Sequence, residues 1–271
     1  MELAPIVLFT YNRPQHTEKT LESLKGNFLS YESRLIVFSD GPKNPEDQNE
    51  IQKITAVREL VNSTNWCKSV QLICGNENKG AKKSMFDGVN TIIEKHKKII
   101  VIQDDLVLGN NFLLFMNTAF NLYEDEKKIR TISGYCFPIN KTGFKEIFLL
   151  DNCSSWGWAT WSDRWENQAD FKNSAQANSI RSIIGDALHE SLFVNEGLTL
   201  YPKHSLVQNI GFNESNHNYE GSFDPNTLIS FPSIVIEESK SARKNASRFF
   251  KHSSNKGEVS LLKKIFGKLF S

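Results

Sequence analysis

Apolar residues in the first hundred positions come in short unbroken runs, separated by longer stretches in which they recur every three or four places. That is the pattern of strands buried on both faces alternating with helices that cover them. The runs are Pro5 to Thr10, Leu35 to Phe38, Val70 to Cys74 and Ile99 to Ile102. Between them, Leu21, Leu24 and Phe28 follow Pro14 at helical spacing. Ile51, Ile54, Val57 and Val61 follow Asn44-Pro45-Glu46-Asp47, and Met85, Val89, Ile92 and Ile93 follow Asn78-Lys79-Gly80. Pro14 suits a first helical turn, and Asn44-Pro45-Glu46-Asp47 reads as an N-cap, a first-turn proline and two first-turn acids. Four strands and three helices in this order predict the α/β class, with a mostly parallel central sheet flanked by helices. Ligands of such a sheet collect beyond the carboxyl ends of its strands, so the polar residues there are the candidates for chemistry.

The fourth run ends in Gln103-Asp104-Asp105, and apolar residues resume at Leu106-Val107-Leu108 as if the strand continued. Adjacent carboxylates repel unless a cation or hydrogen-bond donors face them. The first run ends in Thr10-Tyr11-Asn12-Arg13, where Tyr11 offers a ring to stack on a base and Arg13 a charge for a diphosphate. The second ends in Ser39-Asp40-Gly41-Pro42, where Asp40 can accept from a base N–H. Singly, each is an ordinary loop residue. Together on one edge of a sheet, they favour a nucleotide-plus-metal site. Neither G-x-G-x-x-G nor G-x-x-x-x-G-K-[ST] occurs, which excludes an ordinary dinucleotide domain and a phosphate-cradling loop of that kind.

Trp156, Trp158, Trp161 and Trp165 crowd into ten positions, and the last three fall at a spacing that predicts a helix burying them. Tryptophan also stacks on sugar rings, so Trp156 and Trp158, with Gly157 allowing close backbone approach, are candidates for an acceptor or sugar pocket. The chain of 271 residues has 32 basic and 31 acidic side chains, a balance that argues against nucleic acid as partner. Four cysteines without metal spacing suit a reducing compartment. Met1 to Ala4 runs directly into Pro5, leaving no room for a signal peptide, and no stretch is apolar enough to span a bilayer, so a cytoplasmic location is expected. Residues 239–257 are rich in serine, asparagine and basic side chains and read as a linker. Residues 258–271 set Val259, Leu262, Ile265, Phe266, Leu269 and Phe270 on one helical face and Lys263, Lys264 and Lys268 elsewhere. Such a basic amphipathic helix suits weak contact with an anionic membrane.

Residues Pro5 to Pro14, Ser39-Asp-Gly-Pro42, Asn78-Lys-Gly80 with Lys83, and Gln103-Asp-Asp-Leu-Val-Leu108 resemble the nucleotide-sugar half of a GT-A glycosyltransferase. The closer similarity is to family-2-like enzymes, the bacterial relatives of N-acetylglucosaminyltransferase I. Ser155 to Trp161, Gly197-Leu-Thr-Leu-Tyr-Pro202 and Ser205 to Gly211 resemble that group's acceptor-side segments. The resemblance implies a GT-A, Rossmann-like domain over residues 1–238, with a nucleotide-sugar half to about 135 and an acceptor half from about 136. It implies that Thr10, Tyr11, Asn12 and Arg13 form the first nucleotide loop and that Asp40 reads the base, most often uracil. Asn78, Gly80 and Lys83 would lie near the sugar diphosphate. Asp105 would bind a divalent ion, usually manganese with magnesium as the alternative, beside Asp104, with His217 as a further metal or diphosphate ligand. Asp186, with Glu190 in reserve, would deprotonate the acceptor hydroxyl.

Two departures stand out. Gln103 replaces a glutamate of the related motif, and the region 182–189 lacks the usual tryptophan before the base, with Asp186 one position off. The implied activity is metal-dependent, inverting transfer of a hexosyl or N-acetylhexosaminyl group from a nucleoside diphosphate sugar, UDP-linked foremost. The acceptor would be a glycan or lipid-linked glycan in bacterial surface polysaccharide or lipopolysaccharide synthesis, reached at the inner membrane face. The departures keep a second reading open, a catalytically impaired GT-A-fold module that binds glycan or nucleotide sugar.

Overall fold

The computed structural model describes residues 2–151, 153–165, 197–211, 223–232 and 238–255. Strands β1 (Ile6–Thr10), β2 (Arg34–Ser39), β3 (Ser69–Cys74) and β4 (Lys98–Gln103) run parallel. β1 lies between β2 and β4, and β3 lies outside β2. Helices α1 (Pro14–Lys25) and α2 (Gln48–Asn62) cover one face, where Leu21, Leu24 and Val61 meet Ile6, Leu8, Leu35 and Ile100. Helix α3 (Ala81–Ile93) covers the other, where Met85, Val89 and Ile92 meet Val7, Ile36 and Val101. Successive strand residues therefore face opposite helical layers. On β1, β2 and β4 both layers need apolar partners, which is why those runs do not alternate; β3 is the edge strand, and its residues are half-buried or exposed, which corrects the expectation that it too is buried on both faces.

The second half continues the sheet with strands of mixed direction. After β5 (Leu106–Leu108) and α4 (Phe112–Leu122) come β6 (Ile129–Ser133), β7 (Ile147–Leu150), β8 (Trp158–Trp161), β9 (Leu198–Pro202) and β10 (Val207–Asn209). The eight-stranded order is β3-β2-β1-β4-β8-β6-β9-β7, and β5 pairs with β10 in a separate two-stranded ribbon. The class is the α/β architecture that the sequence predicts. Among the described residues no helix is long and apolar enough to cross a membrane.

Several local expectations are corrected. Trp158 and Trp161 lie on strand β8, not on a helix, between β4 and β6 in the middle of the sheet. A strand there also buries both faces: Trp158 packs on the α3 side against Trp165, and Trp161 meets Phe120 edge-on at 4.9 Å on the opposite side. The apolar stretch from Ile99 to Leu108 is two strands in two different sheets, broken at Asp104-Asp105. Helix α1 ends before Gly26, so Phe28 lies beyond it and is 61% exposed. Helix α2 starts at Gln48, with Asp47 as its cap accepting from the N–H groups of Asn49 and Glu50, while Asn44 closes its own turn on Glu46 N–H. Within the expected linker, Lys240–Asn255 is helix α5. It sits on β7 through Ala242 and Ala246, and two alanines make too thin a stripe to stand out in a polar stretch. Residues 258–271 lie outside the described residues.

Arg164 anchors the second half from inside. Its guanidinium lies 3.5 Å over the Trp161 ring and donates to the carbonyls of Ile129, Tyr123 and Glu124. Removing the side chain strands the Ile129 and Tyr123 carbonyls, whose bonds to it are buried. Arg164→Ala is therefore expected to lower unfolding free energy by about 3 kcal/mol, read from the urea midpoint.

Candidate functional site

Chain order makes the crevice. β2 and β3 are laid down on one side of β1, and β4 then returns to its other side. Ligands of open α/β sheets bind outside the carboxyl ends of strands where the order reverses in this way. That point is flanked by Tyr11-Asn12-Arg13 after β1 and Asp104-Asp105 after β4.

Arg13 stands just before α1 and spans the two acids. Its Nη2 donates to Asp104 Oδ1 at 2.8 Å and its Nη1 to Asp105 Oδ2 at 3.2 Å. The Asp104 and Asp105 side chains are 5% and 2% exposed, against 36% for Arg13. Tyr11 N–H donates to Asp104 Oδ2 at 3.4 Å. Burial pushes the Asp104 carboxyl upward, and the neighbouring Asp105 charge adds to this; Arg13 and the Tyr11 N–H pull against it. Asp105 Oδ1 is buried with no hydrogen-bond partner among the described residues.

The β10 end lies over the pair. Ile210 N–H donates to the Asp105 carbonyl at 2.8 Å, and His16 Nε2–H donates to the Ile210 carbonyl at 3.2 Å. A Cβ on Gly211 would fall 2.3 Å from Asp105 Oδ2, so only glycine lets the chain pass there.

The loop after β2 is built round Asp40. Its carboxylate accepts from the N–H groups of Gly41 at 3.1 Å, Lys79 at 3.0 Å and Gly80 at 3.1 Å. Asn78 donates from Nδ2 to the Gly41 carbonyl at 3.0 Å and accepts the Gly80 N–H at 3.1 Å. Gly80, with φ of +77°, turns the chain into α3. Arg58 of α2 ties the strand ends together, donating to Ser39 Oγ and to the carbonyls of Asp40 and Gly75.

The expected site residues are thus partly gathered and partly given other tasks. Arg13, expected on a diphosphate, bridges the acids. Asp40, expected on a base, holds three backbone donors. The Tyr11 hydroxyl donates to Glu50, and the Thr10 hydroxyl to the Phe38 carbonyl. Asn12 is half-buried beside Arg13. Lys83 is 66% exposed on α3, where it and Lys79 pair with Asp87.

Near the second half's part of the same edge, Gly157 has φ of +63° and its carbonyl accepts the Gly134 N–H at 2.7 Å. Trp156 packs edge-on against Tyr135, and Trp158 is wholly buried in the core and has no ring face for a sugar. Asp186, Glu190 and His217 lie outside the described residues.

The donor set at Asp104-Asp105 consists of hard carboxylate oxygens, one of them orphaned, which fits a hard divalent ion that takes its other ligands from phosphate and water. Among the described residues no three His, Cys, Asp or Glu side chains cluster as a metal site.

Sequence reasoning missed Arg58, Glu50, His16 and Gly211. Arg58 carried a signal: four residues after Ile54, it is a charge on the helix stripe that Ile54, Val57 and Val61 define. His16 carried none and Gly211 only its place at the end of the Ser205 to Gly211 resemblance, because their roles depend on the β10 segment crossing over α1 and Asp105.

Fold and site together define an α/β protein whose switch-point crevice holds an arginine-bridged acid pair. No protein-family model and no curated protein matches the chain. Among solved structures it is similar to residues 1–349 of S. aureus TarS, at 13% identity and a TM-score of 0.45 over 74% of this chain and 60% of that one. A longer S. aureus TarS structure gives 12% and 0.42, again over 74% of this chain and 36% of the other. The match thus spans well under two thirds of the TarS chains. Apo UDP-glucose pyrophosphorylase gives 11% identity and a TM-score of 0.41 over 74% of this chain and 90% of that one.

Proposed function

We propose that this protein is a metal-dependent, inverting glycosyltransferase that moves a sugar from a nucleoside diphosphate donor, UDP-linked foremost, to a hydroxyl of a glycan acceptor. The observation that carries the reading is the meeting of Arg13, Asp104 and Asp105 at the sheet's switch point, with the Asp40 loop beside them. In this reading Asp105, assisted by Asp104, holds manganese or magnesium. The bound ion would neutralise charge growing on the leaving diphosphate. The loop of Asp40, Gly41 and Asn78 frames the base, with Tyr11 as its stacking face, and His217 approaches the diphosphate. Asp186, with Glu190 in reserve, takes the proton of the acceptor hydroxyl, and a single base on the acceptor side corresponds to inversion. The setting would be bacterial surface polysaccharide or lipopolysaccharide assembly at the inner membrane face, with residues 258–271 giving weak contact with anionic lipid.

Gln103 favours the second reading, a binding module that has lost turnover. Where the related motif has an acid this chain has an amide, and its Oε1 is buried without a partner among the described residues.

The deciding experiment is thermal stability of the full chain against UDP, GDP, CMP and dTDP, each with and without manganese, followed by consumption of the matching nucleotide sugars. A ligand that binds only the folded state adds about 2.7 kcal/mol at a hundred times its Kd. The expected result is a rise with UDP that grows with manganese, then turnover of a UDP-sugar. A rise without turnover of any donor would favour the binding module. No rise with any nucleotide would overturn the donor site.

A further inference from the structure

We infer that Arg13 is a built-in cation that holds the acid pair while no donor is bound and exchanges it for a divalent ion when a diphosphate arrives, so that metal and nucleotide bind as a coupled pair. This rests on the donor-site reading and adds to it an order of events that the geometry suggests.

Arg13 gives one guanidinium nitrogen to each acid, to Asp104 Oδ1 and to Asp105 Oδ2. The acid side chains are all but closed to solvent while the Arg13 side chain is about one-third exposed, so the arginine is the solvent-facing member of the cluster. A divalent ion held by the same two acids would compete with the guanidinium for their oxygens. Charge favours the exchange only in company. One arginine brings a single positive charge to the two acids, and a divalent ion would bring two. The displaced guanidinium would then be without a partner, unless a diphosphate stands beside it with two oxygens that the planar fork can bind together. Metal alone thus breaks two charged hydrogen bonds and leaves a cation stranded. Metal with a diphosphate gives every charge a new partner.

Coupling of this kind is reciprocal and typically changes each affinity by about 5- to 150-fold. The test is manganese binding to the full chain, followed by the electron paramagnetic resonance of free Mn²⁺, with and without UDP. It uses the wild type, Arg13→Gln and Arg13→Lys, each first checked for folding by circular dichroism.

In the wild type, UDP is expected to tighten manganese binding about tenfold or more. In Arg13→Gln, manganese without UDP should bind about tenfold tighter than in the wild type, and the effect of UDP should shrink. Arg13→Lys keeps the charge but is shorter and loses the two-nitrogen fork that gives each acid its own donor, so its UDP-free manganese affinity should also rise. Unchanged or weaker UDP-free manganese binding in Arg13→Gln would overturn the inference. A Lys variant behaving as the wild type would do so too, because charge repulsion alone would then account for the Gln result.

The two levels fail separately. If UDP stabilises the wild type while manganese and UDP bind independently, the exchange is wrong and the donor site stands. If UDP does not bind at all, the donor site itself is wrong.

Discussion

Asp105→Asn is expected to leave the ligand-free protein folded, with a melting temperature unchanged or raised, while abolishing the manganese-dependent part of UDP binding and about 100-fold or more of turnover with a UDP-sugar. The two halves of this result have one cause. Asp104 and Asp105 are buried together and share a single arginine; burial, with repulsion from Asp105 added, pushes the Asp104 carboxyl upward. Replacing one carboxylate by an amide of the same shape removes that repulsion, and Asp104 keeps its 2.8 Å bond to Arg13. The same change removes a hard anionic ligand, and an amide oxygen binds a divalent ion more weakly than a carboxylate. Differential scanning fluorimetry reads the first half and donor consumption the second. Wild-type turnover with manganese would take Asp105 out of the site, and a large fall in ligand-free stability would refute the charge argument.

Gly41→Ala is expected to be the most damaging small change in the nucleotide loop. A Cβ there would lie 2.5 Å from Glu77 N, 2.6 Å from Glu77 C and 2.7 Å from Asn76 C. All three are main-chain atoms, so no side chain can rotate away and the loop after β3 has to move. Overpacking of this kind costs about 1–3 kcal/mol, which for a chain of this size lowers the melting temperature by about 5 °C. The displaced loop carries the N–H groups of Lys79 and Gly80 that Asp40 holds, so UDP affinity should also fall about tenfold or more, one lost charged hydrogen bond being worth that much. Gly26→Ala is the control. Gly26 closes α1 in right-handed geometry, and nothing comes within 3.6 Å of the added carbon. Its melting temperature should stay level or rise slightly. Thermal melts with and without UDP separate the two variants, and equal behaviour would mean that the Asp40 loop tolerates displacement.

The first hundred residues were readable because their constraints are local. A strand covered on both faces is apolar at every position, and a helix on one face is apolar every third or fourth, so Pro5 to Ile102 announces its elements without reference to any other segment. Carboxylates at the end of such a strand announce a polar edge in the same way. The second half is less direct. Trp158 and Trp161 follow helical spacing and still form a strand, because the open edge of β4 needs a partner and both faces of that position are buried. Helix α5 hides in a polar stretch because two alanines suffice to seat it on β7.

By itself the sequence determined the class of the fold, the strands and helices of its first half, and the clustering of Arg13, Asp40, Asp104 and Asp105 at strand ends. Which groups meet there depends on how distant segments pack. Arg13 lies 91 and 92 positions from the acids that it bridges, and Asp40 lies 39 and 40 from the backbone groups that it holds. His16 reaches a carbonyl 194 positions away. Local periodicity reports which face of an element is buried. The partner across the crevice depends on the return of β4 to the far side of β1, and that order comes from packing the whole chain at once.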